Sequence, residues 1–242
     1  MTVNGFLGAN LVVLAATLSA MAADRAAGLD ADPHLVARWK LDETSGKKAA
    51  DASGHNHHAT LDGKLAFDSH SVPGRAGRAL QFDGTADVVT ATGFKGVVGT
   101  RPRTIALWIK TTSTTGEIIS WGKNDAGKMW IMCFIRNGLG VTPKGGYLYM
   151  KRGVEDGQWH HIVAVVREAS PPNLHDDVKL YKDGEPAEID DIGYLDMWPV
   201  ETVAQQDVRL GCRFKGQLSD VRIYDRALAE EEVKSLFRQS SK

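Results

Sequence analysis

Cysteine is nearly absent from the sequence: Cys133 and Cys212 are the whole supply in 242 residues. A disulfide framework cannot hold a chain of this length, so a sizeable apolar core must do so. Both cysteines sit in apolar, strand-like runs (WIMCFI and VRLGC), where a thiol serves as a small buried hydrophobe. Pairing and two buried thiols both stay open, because the separation of the Cα atoms decides between them. An excess of charge is missing too. Lys plus Arg number 29 against 30 Asp plus Glu, for a net charge of -1. Nothing here neutralises a phosphate backbone, which excludes nucleic acid as a partner, and polybasic docking to a membrane falls with it.

The N-terminus lacks basic residues, since Met1 to Asn10 contains no Lys or Arg. It does carry Leu11 to Leu18 (LVVLAATL), an apolar run too short to span a bilayer. Ala20-Met21-Ala22 follows as a small-x-small cleavage site. Residues 1–22 therefore read as a signal peptide. Residues 23–34 read as a linker, 35–238 as one domain and 239–242 as a tail. The expected location is secreted, periplasmic or in the cell envelope, with no membrane span in the mature chain.

What the mature chain has is alternation. Short apolar runs follow one another from Val36–Leu41 to Gln217–Tyr224, separated by Gly, Asp, Asn and Pro, the mark of an all-β sandwich or barrel. In Thr104 to Lys110, Ile105, Leu107 and Ile109 point one way and Ala106 and Trp108 the other. Apolar residues on both faces suit a central strand of a sheet covered on both sides. Lys179 to Glu185 reads as a strand entering an Asp183-Gly184 hairpin turn. One helix is expected, over 230–238, with Glu230, Glu231 and Glu232 at its positive end and Val233, Leu236 and Phe237 on one face. Residues 170–177 (SPPNLHDD) and 190–206 read as loops, the second holding Tyr194, Trp198 and Pro199.

Several segments fall in a recognisable order: ARWKLDETSG from Ala37, DASG from Asp51, GRALQFDG from Gly77, WHHIVA from Trp159, KLYKDG from Lys179 and FKGQLSDVRIYDRAL from Phe214. Together they resemble the laminin-G-like domains of the concanavalin A-like lectin/glucanase superfamily, from about Leu35 to Phe237. The resemblance implies a two-sheet antiparallel jelly-roll β-sandwich with a short C-terminal helix. It says little of function, because this fold carries lectins, adhesion modules, enzymes and passive domains alike. It also implies a structural Ca²⁺ held by Asp51 and Asp220, with backbone carbonyls near Gly54 and Asp83 completing the shell. An Asx turn at Asp51 and an ion pair from Asp220 to Arg222 are the plainer readings of the same residues.

A glycoside hydrolase is the reading to exclude first. Retaining hydrolysis needs two carboxyls about 5–5.5 Å apart, which the superfamily's enzymes carry at i and i+4 of one strand. Glu188 comes nearest, but its i+4 residue is Ile192, so Glu188 reads as a solvated loop acid and the chain as no enzyme. His55, His57 and His58 read as a polar turn, without the cysteines or carboxylates of a zinc site. Of His160 and His161 one reads as a core histidine. Trp39, Trp108, Trp121 and Trp159 read as core, whereas Tyr194, Trp198, Trp130 and Tyr149, with Tyr147, are the candidates to stack on a sugar. The expectation is a non-catalytic module that binds extracellular carbohydrate. The alternatives are a protein-interaction or adhesion surface and a passive envelope domain.

Overall fold

Side-chain alternation in the central strands makes two sheets and then stacks them. The computed structural model describes residues 28–193 and 198–239. The expected signal peptide, the 240–242 part of the tail and Tyr194 lie outside the described residues. Among the described residues a helical turn at 28–30, seventeen strands and two further helices follow in chain order, and every strand pairing is antiparallel. The first sheet contains β4 (Ser71–Pro73), β5 (Arg78–Asp83), β17 (Lys215–Tyr224), β7 (Arg103–Lys110), β12 (Trp159–Val166), β13 (Val178–Lys182) and β14 (Glu185–Pro186), in that spatial order. An eighth strand, β1 (Leu35–Trp39), also pairs with β17.

The second sheet has nine strands. They run β15 (Ile189–Gly193), β11 (Tyr147–Met150), β10 (Gly138–Thr142), β9 (Met129–Ile135), β8 (Glu117–Gly122), β16 (Gln206–Leu210), β6 (Val89–Ala91), β3 (Ala59–Leu61) and β2 (Lys48–Ala49). Two facing antiparallel sheets with a short C-terminal helix make the jelly-roll sandwich that alternation called for. The loop expected over 190–206 is in part strand: Ile189 and Ile192 of β15 pack against the core while Leu148↔Ile192 and Tyr147↔Gly193 pair it with β11. Those two isoleucines gave only a weak alternating signal beside Asp190 and Asp191.

The inner faces form the core. Ile105, Leu107 and Ile109 of β7 meet residues such as Trp121, Trp130 and Met132 of the opposite sheet. A second, smaller cluster lies on the outer face of the eight-stranded sheet. Here Ala106, Val163, Val165, Tyr181 and Tyr224 are covered by α2 (Glu230–Gln239) through Val233 and Leu236. The short α1 (Phe67–His70) buries Phe67. Glu232 fixes the start of α2 by accepting from the Ala229 amide at 2.7 Å, which satisfies a donor that the first turn leaves orphaned. The Asp183-Gly184 turn takes φ of 54° and 85°, both left-handed, which closes the β13–β14 hairpin in the sense strand twist favours.

One cation is buried without a carboxylate. Arg103 is fully covered and donates to the carbonyls of Val97 (2.7 Å), Gly99 (2.7 Å) and Arg101, and to Thr202 Oγ1 (2.8 Å). Burial, and secondarily Arg101, lowers its pKa to about 9. It staples the 97–101 loop to the segment leading into β16.

Candidate functional site

The outer face of the nine-stranded sheet carries a groove of about 900 Å³. Its floor follows from strand parity. Val208 and Leu210 of β16, Ile119 and Trp121 of β8, and Trp130 and Met132 of β9 all enter the core. Arg209, Ser120, Ile131 and Cys133 therefore point the other way. Register places them side by side: Arg209 pairs with Ser120, Ser120 with Ile131, and Glu117 with Cys133. Glu117, Arg209, Ile131, Cys133, Phe134 and Gln206 line the groove, and Lys144 and Asn124 reach it from two hairpin turns.

The floor is polar and only partly satisfied. Glu117 Oε2, Ser120 Oγ and Arg209 Nε are buried and have no hydrogen-bond partner among the described residues. Arg209 spends another N–H on Gln206 Oε1 at 3.1 Å. A buried polar atom without a partner costs about 1–3 kcal/mol; Glu117 and Arg209 line the groove, and Ser120 is buried between Arg209 and Ile131. The two cysteines flank Glu117. Cys133 is its partner on β9, and the Cys212 carbonyl accepts from the Glu117 amide at 2.8 Å. Two strand spacings separate them, roughly 9.5 Å, beyond the reach of a disulfide, and both thiols are free. Burial, with Glu117 beside it, pushes the Cys133 thiol up to about 12. It stays protonated and is a poor nucleophile.

The aromatic candidates divide. Trp198 is exposed and packs beside the groove, where a side chain at Gly145, next to Lys144, would collide with its indole. Trp130 is a correction. It has no exposed surface and its ring lies 6.1 Å from Trp121 in the core, because the parity that exposes Ile131 turns Trp130 inward. Tyr149 faces outward but is only 4% exposed, lying against Gly138 and Gly140, whose missing side chains make room for it. Tyr147 beside it donates to Asp191 at 3.2 Å, with the Arg136 guanidinium 5.1 Å from its ring centre. Glu188 is exposed and pairs with Lys151.

The metal candidates are occupied by the protein. Asp51 accepts from the amides of Arg38, Ser53 and His57 at 2.9 Å each and from the Ser53 hydroxyl at 2.8 Å. Burial opposes its ionisation, but these donors outweigh burial and lower its pKa. Asp220 is held by Arg38 Nε and Arg222 Nη2, both at 2.7 Å. Here too burial is outweighed, by Arg222 and then Arg38, and the carboxyl falls to about 2. Two guanidinium groups on one carboxylate and four donors on the other do not fit Ca²⁺, which needs those oxygens free. Among the described residues no group of three or more His, Cys, Asp or Glu is arranged to hold a metal ion. The histidine turn is stabilised differently, with His57 stacked on Phe94 at 3.9 Å and His58 Nδ1 accepting from the Asp51 amide.

Sequence reasoning missed Glu117, Ser120, Arg209 and Gln206. The available signal was a polar residue at an outward position of a strand whose neighbours are all apolar, as in EIISWG and VRL.

Comparison with known proteins supports the same architecture. Domain 4 of AbnA, a GH43 extracellular arabinanase from Geobacillus stearothermophilus solved in complex with arabinotriose, superposes with a TM-score of 0.61 at 20% identity, covering 84% of this chain and 97% of that one. The binding domain of botulinum neurotoxin serotype D gives 0.55 at 14% identity over 88% of this chain. The binding domain of Paraclostridial Mosquitocidal Protein 1 gives 0.52 at 16% over 84%. The chain spans about half of each of these two, 52%. Among curated proteins none matches the sequence significantly. At these identities the superpositions speak for the fold. The sequence itself carries the ancestry, because a laminin-G-like family model matches residues 83–234, well over half of the chain, and the chain belongs to the concanavalin A-like lectin/glucanases superfamily.

Proposed function

We propose that this protein is a secreted, non-catalytic module that binds carbohydrate in the groove of the nine-stranded sheet. The observation that carries the proposal is the pair of unpartnered polar atoms on groove-lining residues, Glu117 Oε2 and Arg209 Nε, with Ser120 Oγ buried beside Arg209. Sugar hydroxyls donate and accept at once, so one pyranose or furanose edge can satisfy an acid and a guanidinium together. Phe134 on the wall and exposed Trp198 beside the groove supply aromatic faces for sugar C–H groups. The arabinotriose complex of the arabinanase domain, similar over nearly its whole length, supports the ligand class. The non-catalytic part rests on the groove's acid–base inventory, in which Glu117 is the one carboxylate among the lining residues, whereas glycoside hydrolysis uses two. Export rests on the Leu11–Leu18 run and the Ala20-Met21-Ala22 site.

The test is a glycan array probed with the protein beginning at Ala23, beside Glu117→Gln and Trp198→Ala variants. Specific binding is expected, weakened about tenfold by either change, with the glycan intact after prolonged incubation. An array empty for the wild type would remove the carbohydrate reading and favour a protein partner. Released reducing ends that disappear with Glu117→Gln would overturn the non-catalytic one.

A further inference from the structure

A second cavity, of about 250 Å³, opens on the outer face of the other sheet. Arg38, Lys40, Arg75, Trp108, Asp220 and Arg222 are among its walls. It is smaller than the roughly 300–1,000 Å³ of sites for drug-sized ligands, so it accommodates one small group. We propose that it is a binding site for a singly charged oxyanion, a carboxylate or a sulfate ester, carried by a small ligand.

The charge inventory comes first. Arg222 and Arg38 are neutralised by Asp220 and by Asp30 just behind, with pairs of 2.6–3.0 Å. Lys40 and Arg75 line the same cavity, and neither has an ion pair among the described residues. Asp42 is the single unpaired carboxylate beside them. Four cations face three carboxylates, which leaves one positive charge uncompensated. A monoanion balances it, whereas a dianion would overshoot.

Geometry supplies the rest. The Arg75 guanidinium sits 4.7 Å from the centre of the Trp108 ring, which orients its planar fork while leaving the N–H groups free for a bidentate partner. Trp108 is itself immobilised, stacked on Phe237 at 5.7 Å and tilted against His161 at 5.1 Å. It is 2% exposed, and its indole N–H has no acceptor among the described residues. The protein leaves this buried donor unsatisfied in the wall of a cationic cavity, and an anionic oxygen is the group that completes it. The strand beneath is reshaped to suit. β17 bulges between Ser219 and Arg222, and Asp220 takes a φ of 47°, so two adjacent side chains turn toward the cavity where a regular strand would offer one.

The site is independent of the groove, which lies on the opposite sheet. It is tested by calorimetric titration with sodium glucuronate, sodium methyl sulfate and glucose, and by following the Trp108 indole N–H in NMR, identified through Trp108→Phe. Glucuronate, methyl sulfate or both are expected to bind one to one and to move that resonance, and glucose to leave it in place. The anion that binds more tightly distinguishes a uronic acid from a sulfated ligand. Arg75→Ala and Lys40→Gln should each weaken binding at least tenfold, and Arg75→Lys should recover only part of the loss, because the fork is gone. Arg209→Ala, in the groove, should leave anion affinity unchanged. Absence of binding by both anions, affinity unaffected by both Arg75→Ala and Lys40→Gln, or loss of anion binding in Arg209→Ala would overturn the assignment.

Discussion

The two outer faces of the sandwich begin from the same local rule and end differently. On the eight-stranded sheet the outward residues of the central strands are apolar (Ala106, Val163 and Val165), and α2 seals them. Of the polar groups on that face, Arg222 and Arg38 are matched by Asp220 and Asp30, whereas the Trp108 indole N–H and His161 Nδ1 have no partner among the described residues. On the nine-stranded sheet the corresponding positions hold Arg209, Ser120, Cys133 and Gly140, no described helix lies over them, and three polar atoms lack partners among the described residues. One face is sealed by a helix except at its small cationic cavity, and the other is left open along the groove. Each buried polar atom without a partner calls for a physical account.

That contrast should break most visibly at Arg222. Arg222→Ala leaves the buried Asp220 to Arg38 alone, and about 1.5–3 kcal/mol of unfolding free energy should be lost, read from urea denaturation. A loss under about 1 kcal/mol would show that water reaches the face.

Acid should act on the same side. Burial, and then Arg222, lowers the folded-state pKa of His161 from 6.5 to about 4, so the unfolded chain takes up a proton first. The stability due to neutral His161 is complete above pH 6.5 and is lost as pH falls toward 4. The size is about 3 kcal/mol. A His161→Phe variant should therefore lose less stability than the wild type across that window. Asp220, lowered from 3.8 to about 2, adds a later loss below pH 3.8 of about 2 kcal/mol. Parallel pH profiles of thermal midpoint for wild type and variant would contradict the His161 assignment.

The groove should respond in the opposite sense. Ser120→Ala removes a hydroxyl that has no partner among the described residues, so unfolding free energy should change by no more than about 0.5 kcal/mol while glycan affinity falls. A large destabilisation would mean that the hydroxyl is structural and the two faces are less distinct than drawn. The smallest expected effect is that of calcium. With Asp51 and Asp220 both saturated by protein donors, millimolar Ca²⁺ or a chelator should leave the thermal midpoint unchanged. A rise with Ca²⁺ that Asp51→Asn abolishes would show that the ligand set rearranges.

The fold was legible because period-2 patterning is a local property. Ile105, Leu107 and Ile109 could be assigned to one face and Ala106 and Trp108 to the other without knowing what covers either. The terminal helix showed itself by the spacing of Val233 and Leu236. The site was legible only in part. Trp130 and Tyr149 have the chemistry of sugar-stacking aromatics, but a tryptophan tells nothing of which face it takes when both its neighbours are apolar. Glu117, Ser120 and Arg209 come from β8 and β16, some 90 residues apart in sequence, and only cross-strand register assembles them. Asp51 and Asp220 illustrate a different limit. The sequence shows a carboxylate, but whether its oxygens are free depends on donors such as Arg38 that belong to another strand.

The pairing of Leu35 with Tyr224 and the contact of Asp30 with Gln239 bring the first and last described segments side by side, on the sheet that does not carry the groove. A body attached close to Asp30 or Gln239 would meet the domain from behind. Such an attachment works like the handle of a cup: it fixes the domain to a larger body while the mouth keeps facing the medium. Copies strung together or set on a surface would all present their grooves outward, and weak single contacts would add up through simultaneous engagement.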